Sequence, residues 1–195
     1  MSDALHALMA ETRARVAVTP VLAGFVGEAL DGDLPFAPPP PVRLPAVTLV
    51  DALETEDPLA RAVIAAASAL RWQQSYTAAD GFDADYLARY GWFNLVSPEG
   101  VFLSDRIRVS VGYWGTGLHY KEHWHAPEEM YLVLAGGARF HSAGRPPFDA
   151  KPGDIVHHAP NQKHAIDMVP GPLLAMAFWK GAALMAKSGL KGADA

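Results

Sequence analysis

The stretch GLHYKEHWHAPEEMYLVLAG, residues 117–136, carries two histidines, two glutamates and a tyrosine within the nine positions from His123 to Tyr131, then runs into plain apolar sequence. Side chains alternate along a strand, so His123 and His125 face one way, and a tight turn at Ala126-Pro127-Glu128 can return Glu129 opposite them. Tyr131, two residues on, looks to the same side. Ionisable groups gathered in this way beside a core strand point to a metal centre. Imidazole with carboxylate suits a first-row divalent ion such as Fe(II), Mn(II), Zn(II), Co(II) or Ni(II), without choosing among them. His164 is expected to add a further ligand from a separate stretch. Seven of the eight histidines lie between residues 119 and 164, a segregation that scattered structural histidines would not produce.

Working outward, the chain from about residue 101 consists of short apolar or alternating runs broken by turn residues, the pattern of a small antiparallel barrel. Strands are expected over 107–114, 117–125, 130–134, 138–141, 155–158, 163–169 and 173–179, with turn signals such as AGG, AGRPP, KPGD and PGP between them. By strict alternation Tyr120 falls on the face opposite His123, unless a bulge intervenes.

Residues 1 to about 95 read mainly as helices. Thr19-Pro20 and Asp57-Pro58 each pair a capping residue with proline at the first helical position. After the second, Leu59, Val63, Ala66 and Leu70 recur at helical spacing and give one apolar face. Between these helices LPFAPPPPVRLP, residues 34–45, excludes regular structure and reads as an extended strap. The organisation expected is therefore a helical extension, 1–100, packed as one structural unit on a barrel, 101–195.

Composition narrows the function classes. The chain has 195 residues, half of them hydrophobic, enough for one domain with a full core. Sixteen basic against 21 acidic residues give a net charge of -5. No Lys/Arg stripe follows a phosphate backbone, so nucleic acid is not expected as a partner. The longest apolar run, AVIAAASAL, is too short to span a bilayer, and no signal peptide is visible at the start, so the expectation is a cytoplasmic protein without membrane association. With no cysteine, disulfides, thiolate nucleophiles and Cys-type zinc sites are excluded.

These residues resemble the first motif of the cupin superfamily, G-x5-H-x-H-x3,4-E-x6-G, with Gly117, His123, His125, Glu129 and Gly136 at the required gaps. For the second motif, Gly153 stands eleven residues before His164, but proline is one place late at Pro160, Asn161 or Gln162 stands where glycine would, and Met168 replaces the final asparagine. The resemblance implies a mainly β, double-stranded β-helix (jelly-roll) barrel with the helices packed on it. Over nearly the whole chain the sequence is also similar to the cupin-type dimethylsulfoniopropionate (DMSP) lyases, the DddQ type, through Tyr120, His123, His125, Pro127, Glu129 and Tyr131. That likeness implies a carbon–sulfur lyase acting on a small molecule, with a metal (iron, zinc or manganese) held by His123, His125, Glu129 and His164. His123 is either a direct ligand or stands just behind one. It further implies Tyr131 as the base, with Tyr120 in reserve, and Trp179 lining the pocket; Trp179, Tyr120 and Trp124 offer aromatic faces to a sulfonium. Another mononuclear metal cupin (a dioxygenase, isomerase or decarboxylase) or a non-catalytic binding cupin would carry a similar ligand set. Monomer and homodimer are both compatible with the sequence. Glu128, His119, His141, His157 and His158 are expected to be solvated or in structural hydrogen bonds.

Overall fold

The computed structural model describes residues 2–191. Helices come first: α1 (Ser2–Ala17), α2 (Pro20–Val26), α3 (Ala46–Asp51), α4 (Pro58–Ala66) and α5 (Ala84–Ala88). Strands follow: β1 (Tyr90–Ser97), β2 (Phe102–Leu103), β3 (Arg108–Trp114), β4 (His119–Trp124), β5 (Glu128–Gly136), β6 (Ala138–Ser142), β7 (Phe148–Ala150), β8 (Ile155–His158), β9 (His164–Asp167), β10 (Leu173–Lys180) and β11 (Gly189–Leu190). No helix among the described residues is long and apolar enough to cross a membrane.

The start of α4 is set by its cap. The Asp57 carboxylate accepts the Ala60 N–H at 2.9 Å, which satisfies a donor that the first turn leaves unpaired, and Pro58 removes another. Thr19 precedes Pro20 in the same way, but its side chain makes no capping bond. The apolar helical spacing continues to Leu70, yet the α-helix stops at Ala66 and tightens into a 3-10 turn over Ala67–Ala69. Beyond it Arg71 and Gln73 form β-bridges with Val42 and Trp92. The proline strap is tied down as well: Ala37 N–H donates to Val101 and Leu103 N–H to Pro35.

Two sheets make the barrel, one ordered β2-β1-β3-β10-β5-β8 and the other β11-β4-β9-β6-β7. This is the expected cupin-type architecture. Its larger sheet is buried on both faces, which explains why MYLVLA and LLAMAFW read as continuous apolar runs rather than alternating ones. Outward-facing Val109, Val111, Leu132, Leu134, Met176 and Phe178 share one core with Leu8, Val47, Leu59 and Val63 of the helices. Inward-facing Tyr131, Val133, Ala175 and Trp179 share a second core with Phe140 and Ile166 of the smaller sheet. Fully burying each such aliphatic or aromatic side chain contributes about 1.5–3 kcal/mol, so the helices are held by the sheet they cover.

β1 lies within the segment whose pattern reads as helical. It is buried along nearly all its length and so lacks the alternation by which a half-exposed strand is recognised. At the end of β5, Gly136 adopts φ +73°, and a Cβ there would sit 1.7 Å from the Pro172 carbonyl oxygen. Only glycine fits that position, which accounts for the last glycine of the first motif.

Candidate metal centre and cavity

The register across the larger sheet lays out the interior as a grid. One row runs Arg108, Trp179, Glu129, His158 through β3, β10, β5 and β8, and the next runs Asn94, Ser110, Ala177, Tyr131, Val156 from β1 to β8. A third pairs Trp92 with Gly112 and Gly112 with Ala175. Small side chains at Ser110, Gly112 and Ala177 form the floor of a cavity of about 260 Å³, with Arg108, Trp179, Glu129, Tyr131, Tyr90 and Trp114 around it. The Trp114 indole folds back over Gly112, where a Cβ would lie 2.4 Å from the ring. The segment from Met185 to Ser188 closes a further side, and Lys187 in it pairs with Asp80 at 2.8 Å.

Beside this cavity His125, Glu129 and His164, all buried, place one ligand atom each within 4.8 Å of one another. β5 carries Glu129, the turn before it carries His125, and β9 opens with His164. Each imidazole is oriented by a backbone carbonyl two residues away: Nδ1–H donates from His125 to Pro127 at 2.9 Å and from His164 to Gln162 at 2.8 Å. His123 does the same to Lys121 at 2.8 Å. A carbonyl can only accept, so each Nδ1 holds the proton, and at His123 and His164, which burial keeps neutral, Nε2 presents a bare lone pair.

The Glu129 carboxylate therefore faces the bare Nε2 of His164, while His125, which burial lowers but Glu129 raises more strongly, pairs with it. Its Oε2 is 3.1 Å from His125 Nε2 and 3.4 Å from His164 Nε2, and His164 Nε2 is buried with no hydrogen-bond partner. A lone pair and a carboxylate pointing at one another in a buried site suit a cation between them. The residues thus fit a divalent metal, and His125, Glu129 and His164 could hold it. Glu129 is itself steadied by two donors: the Trp179 indole gives its N–H to Oε1 at 2.5 Å and His158 Nδ1 donates to Oε2 at 3.0 Å, while His158 Nε2 pairs with the Ser142 hydroxyl at 3.0 Å. Although burial opposes its charge, the surrounding histidines hold Glu129 well below the usual carboxylate range. Burial lowers His164 far below ordinary imidazole and His123 to about 4, which keeps both neutral and available as ligands.

A family model for dimethylsulfoniopropionate lyase matches residues 26–175. The lyase DddQ of Ruegeria pomeroyi is 35% identical over 187 residues, covering 91% of this chain and 90% of that one. The chain belongs to the DMSP lyase family. A chain from the crystal structures of the DMSP lyases RdDddP and RnDddQII superposes with a TM-score of 0.92 at 35% identity, covering 97% of this chain and 98% of that one. The crystal structure of DddQ from Ruegeria pomeroyi DSS-3 gives 0.90 at 34% identity, with 98% of each chain covered.

Within this member of the family, the expected residues fall as follows. His125, Glu129 and His164 converge. His123 lies next to them, its ring 4.0 Å from that of His164 but 6.3 Å from that of His125, outside the convergent three. Tyr120 faces inward after all: the pairing of β4 with β9 slips between Tyr120 and His123, and this β-bulge turns the tyrosine round. Its ring stacks on His123 at 3.9 Å, and its hydroxyl meets that of Tyr76 at 2.9 Å. Tyr131 lines the cavity; burial and the charge of Glu129 both raise its phenol well above 10, and a cation held by Glu129 would act in the opposite sense. Trp179 also lines the cavity, with the Arg108 guanidinium over its ring at 4.6 Å and His125 at 4.2 Å from it.

Trp124 is a correction to the expected aromatic faces. Adjacent to His123 in a strand, it points outward, packs on Gly189 and lies under Lys163, away from the cavity. Among the unassigned histidines, His119 and His141 both pair with Asp167, and His157 pairs with Glu128, as expected of structural hydrogen bonds. His158 joins the centre through Glu129. The signal that could have found it is the alternation of β8 opposite Glu129. Arg108 carried no signal beyond being a charge inside a strand pattern.

Proposed function

We propose that this protein cleaves dimethylsulfoniopropionate to dimethyl sulfide and acrylate by β-elimination. Family membership and the convergence of His125, Glu129 and His164 beside a cavity support the reading; the single observation that carries it is the buried, unpartnered Nε2 of His164 facing Glu129. A divalent ion, Fe(II), Zn(II) or Mn(II), held by these three residues would supply Lewis-acid stabilisation of the charge that develops on the substrate carboxylate.

The chain's own groups do the rest. Tyr131, as phenolate, takes the α proton; the Cα–H pair becomes the Cα=Cβ bond, and the Cβ–S pair leaves on sulfur as neutral dimethyl sulfide. The proton on Tyr131 then returns to solvent. Tyr120 stacks on His123 and is hydrogen-bonded to Tyr76, which suits it to shaping the site. Aromatic rings of Tyr90, Trp92, Trp114 and Trp179 wall much of the cavity. Incubating the metal-analysed protein with DMSP and measuring headspace dimethyl sulfide tests the reading: release is expected from the native protein and not from His125→Ala, which is also expected to lose its metal.

A further inference from the structure

Glu129 has one neighbour in its row on either side, and each holds a different oxygen. On the β10 side Trp179, its ring set between the Arg108 guanidinium at 4.6 Å and the His125 ring at 4.2 Å, donates to Oε1. On the β8 side His158, the register partner of Glu129, donates from Nδ1 to Oε2 at 3.0 Å. Oε2 is the oxygen that faces the imidazoles, 3.1 Å from His125 Nε2 and 3.4 Å from His164 Nε2. The carboxylate is thus turned so that one oxygen belongs to the histidine cluster and the other to the indole.

His158 touches a second member of the cluster. Its ring stacks on that of His164, with centroids 3.8 Å apart and planes 13° from parallel, while the Gln162 carbonyl holds the His164 Nδ1–H. The packing leaves His158 little freedom: it is fully buried, Tyr131 meets it edge-on at 5.9 Å, and Phe140 lies 6.3 Å away. Its Nε2 is tied at 3.0 Å to the Ser142 hydroxyl, and Ser142 stands opposite His164 in the β6–β9 ladder. One residue outside the convergent three therefore contacts two of them, and a further strand fixes that residue in turn.

A carboxylate sealed from water needs donors even before an ion binds, and a ligand set already in place spares the ion the cost of assembling it. The indole fixes one oxygen of Glu129, but a single hydrogen bond leaves the other free to swing about it. His158 removes that freedom at the oxygen nearest the two imidazoles, and its ring limits the tilt of His164 at the same time. Space-filling alone, between Tyr131 and Phe140, calls for an apolar side chain rather than a ring with both nitrogens committed. We propose that His158, braced by Ser142, is a positioning residue that preorganises Oε2 of Glu129 and the ring of His164 for one divalent ion. This rests on the reading of His125, Glu129 and His164 as the ligand set and adds the groups that aim it. With Oε1 kept by Trp179, Glu129 offers one oxygen only, and the coordination positions that remain are left to the substrate.

To test this, Zn(II)-loaded native protein, His158→Phe, His158→Asn and Ser142→Ala are titrated with a chelator, the retained metal is measured, and thermal melts are run with and without the ion. Phenylalanine keeps a flat ring against His164 but donates nothing, whereas the asparagine amide returns an N–H close to the position of Nδ1. His158→Phe is expected to surrender its metal at a chelator concentration about 10–100-fold lower than native and to lose part of the rise in melting temperature that metal confers. His158→Asn is expected to recover part of both, and Ser142→Ala to fall between native and His158→Phe. Native retention in His158→Phe, or equal falls of both melts with the metal-dependent rise intact, would overturn the assignment and leave His158 as packing. Should His158→Phe not fold, Ser142→Ala decides: weaker retention with the metal-free melt unchanged supports the role, and native retention refutes it. Because metal is read apart from turnover, a native protein that holds Zn(II) but releases no dimethyl sulfide would reject the lyase reading and still report on His158, whereas one that holds no ion would refute the ligand set and this role together.

Discussion

Trp179 gives its indole N–H to Glu129 across adjacent strands, and this bond fixes the carboxylate at the centre of the histidine cluster. Trp179→Phe keeps a ring between Arg108 and His125 but removes the donor. Outer partners of metal ligands are commonly worth about 10–100-fold in affinity or activity. We expect the variant to surrender its metal at a chelator concentration at least about tenfold lower, measured by metal analysis after titration; unchanged retention would mean that His158 alone suffices to orient Glu129.

Tyr131 packs its ring 5.6 Å from Phe140 and 5.9 Å from His158, so a phenyl ring fits the same space. Tyr131→Phe should fold normally and keep its metal, while the rate of dimethyl sulfide release falls about 10²–10⁴-fold, the range of a lost general base. Near-native turnover would assign the base elsewhere, with Tyr120 the first candidate to examine.

Acid should destabilise the metal-free protein before it reaches the ordinary carboxylate range. His123 is held neutral with a folded value of about 4, against about 6.5 when unfolded. Between those values the unfolded chain binds the extra proton, so stability rises with pH across that window and is lost as pH falls through it, by about 3 kcal/mol at pH 4 from this residue alone. His164, lowered for the same reason, adds in the same direction, His125, raised by Glu129, acts in the opposite one, and Glu129 follows at lower pH. Thermal melts of chelator-treated protein from pH 7 to pH 4 are expected to show the decline, and a replacement of His123 by a non-titrating residue should flatten it.

Far from the cavity, Asp57 caps α4 through Ala60 and also pairs with Arg15 of α1. Asp57→Ala is expected to lower unfolding stability by about 1 kcal/mol without altering turnover. Denaturant melts and the headspace assay together check this; a loss of activity at full stability would show that the helical segment does more than pack.

Much of the fold was legible because its signals were local. The fixed gaps of the first motif locate Glu129 and His125, and the apolar runs of β5 and β10 announce buried strands. His164 was legible from its distance to Gly153, despite a turn that departs from the motif: Asn161, where glycine would stand, takes φ +58°, a conformation asparagine tolerates better than most residues. Three things were not legible, each for its own reason. β1 is covered on both sides and so shows no alternation. Tyr120 reaches the interior only through a bulge, which depends on how β4 meets β9 rather than on residues near it. The roles of His158 and Arg108 arise from a row across separate strands, a neighbourhood with no footprint in the linear order.

The floor of bare or nearly bare backbone under the cavity makes its size a matter of single atoms. A methyl group at Gly112 would collide with Trp114 and displace that wall, whereas enlarging Ser110 or Ala177 would raise the floor. Tolerance for longer carbon backbones or bulkier groups on sulfur is thus adjustable independently of the metal ligands, which gives a mutational handle on substrate size that leaves the chemistry in place.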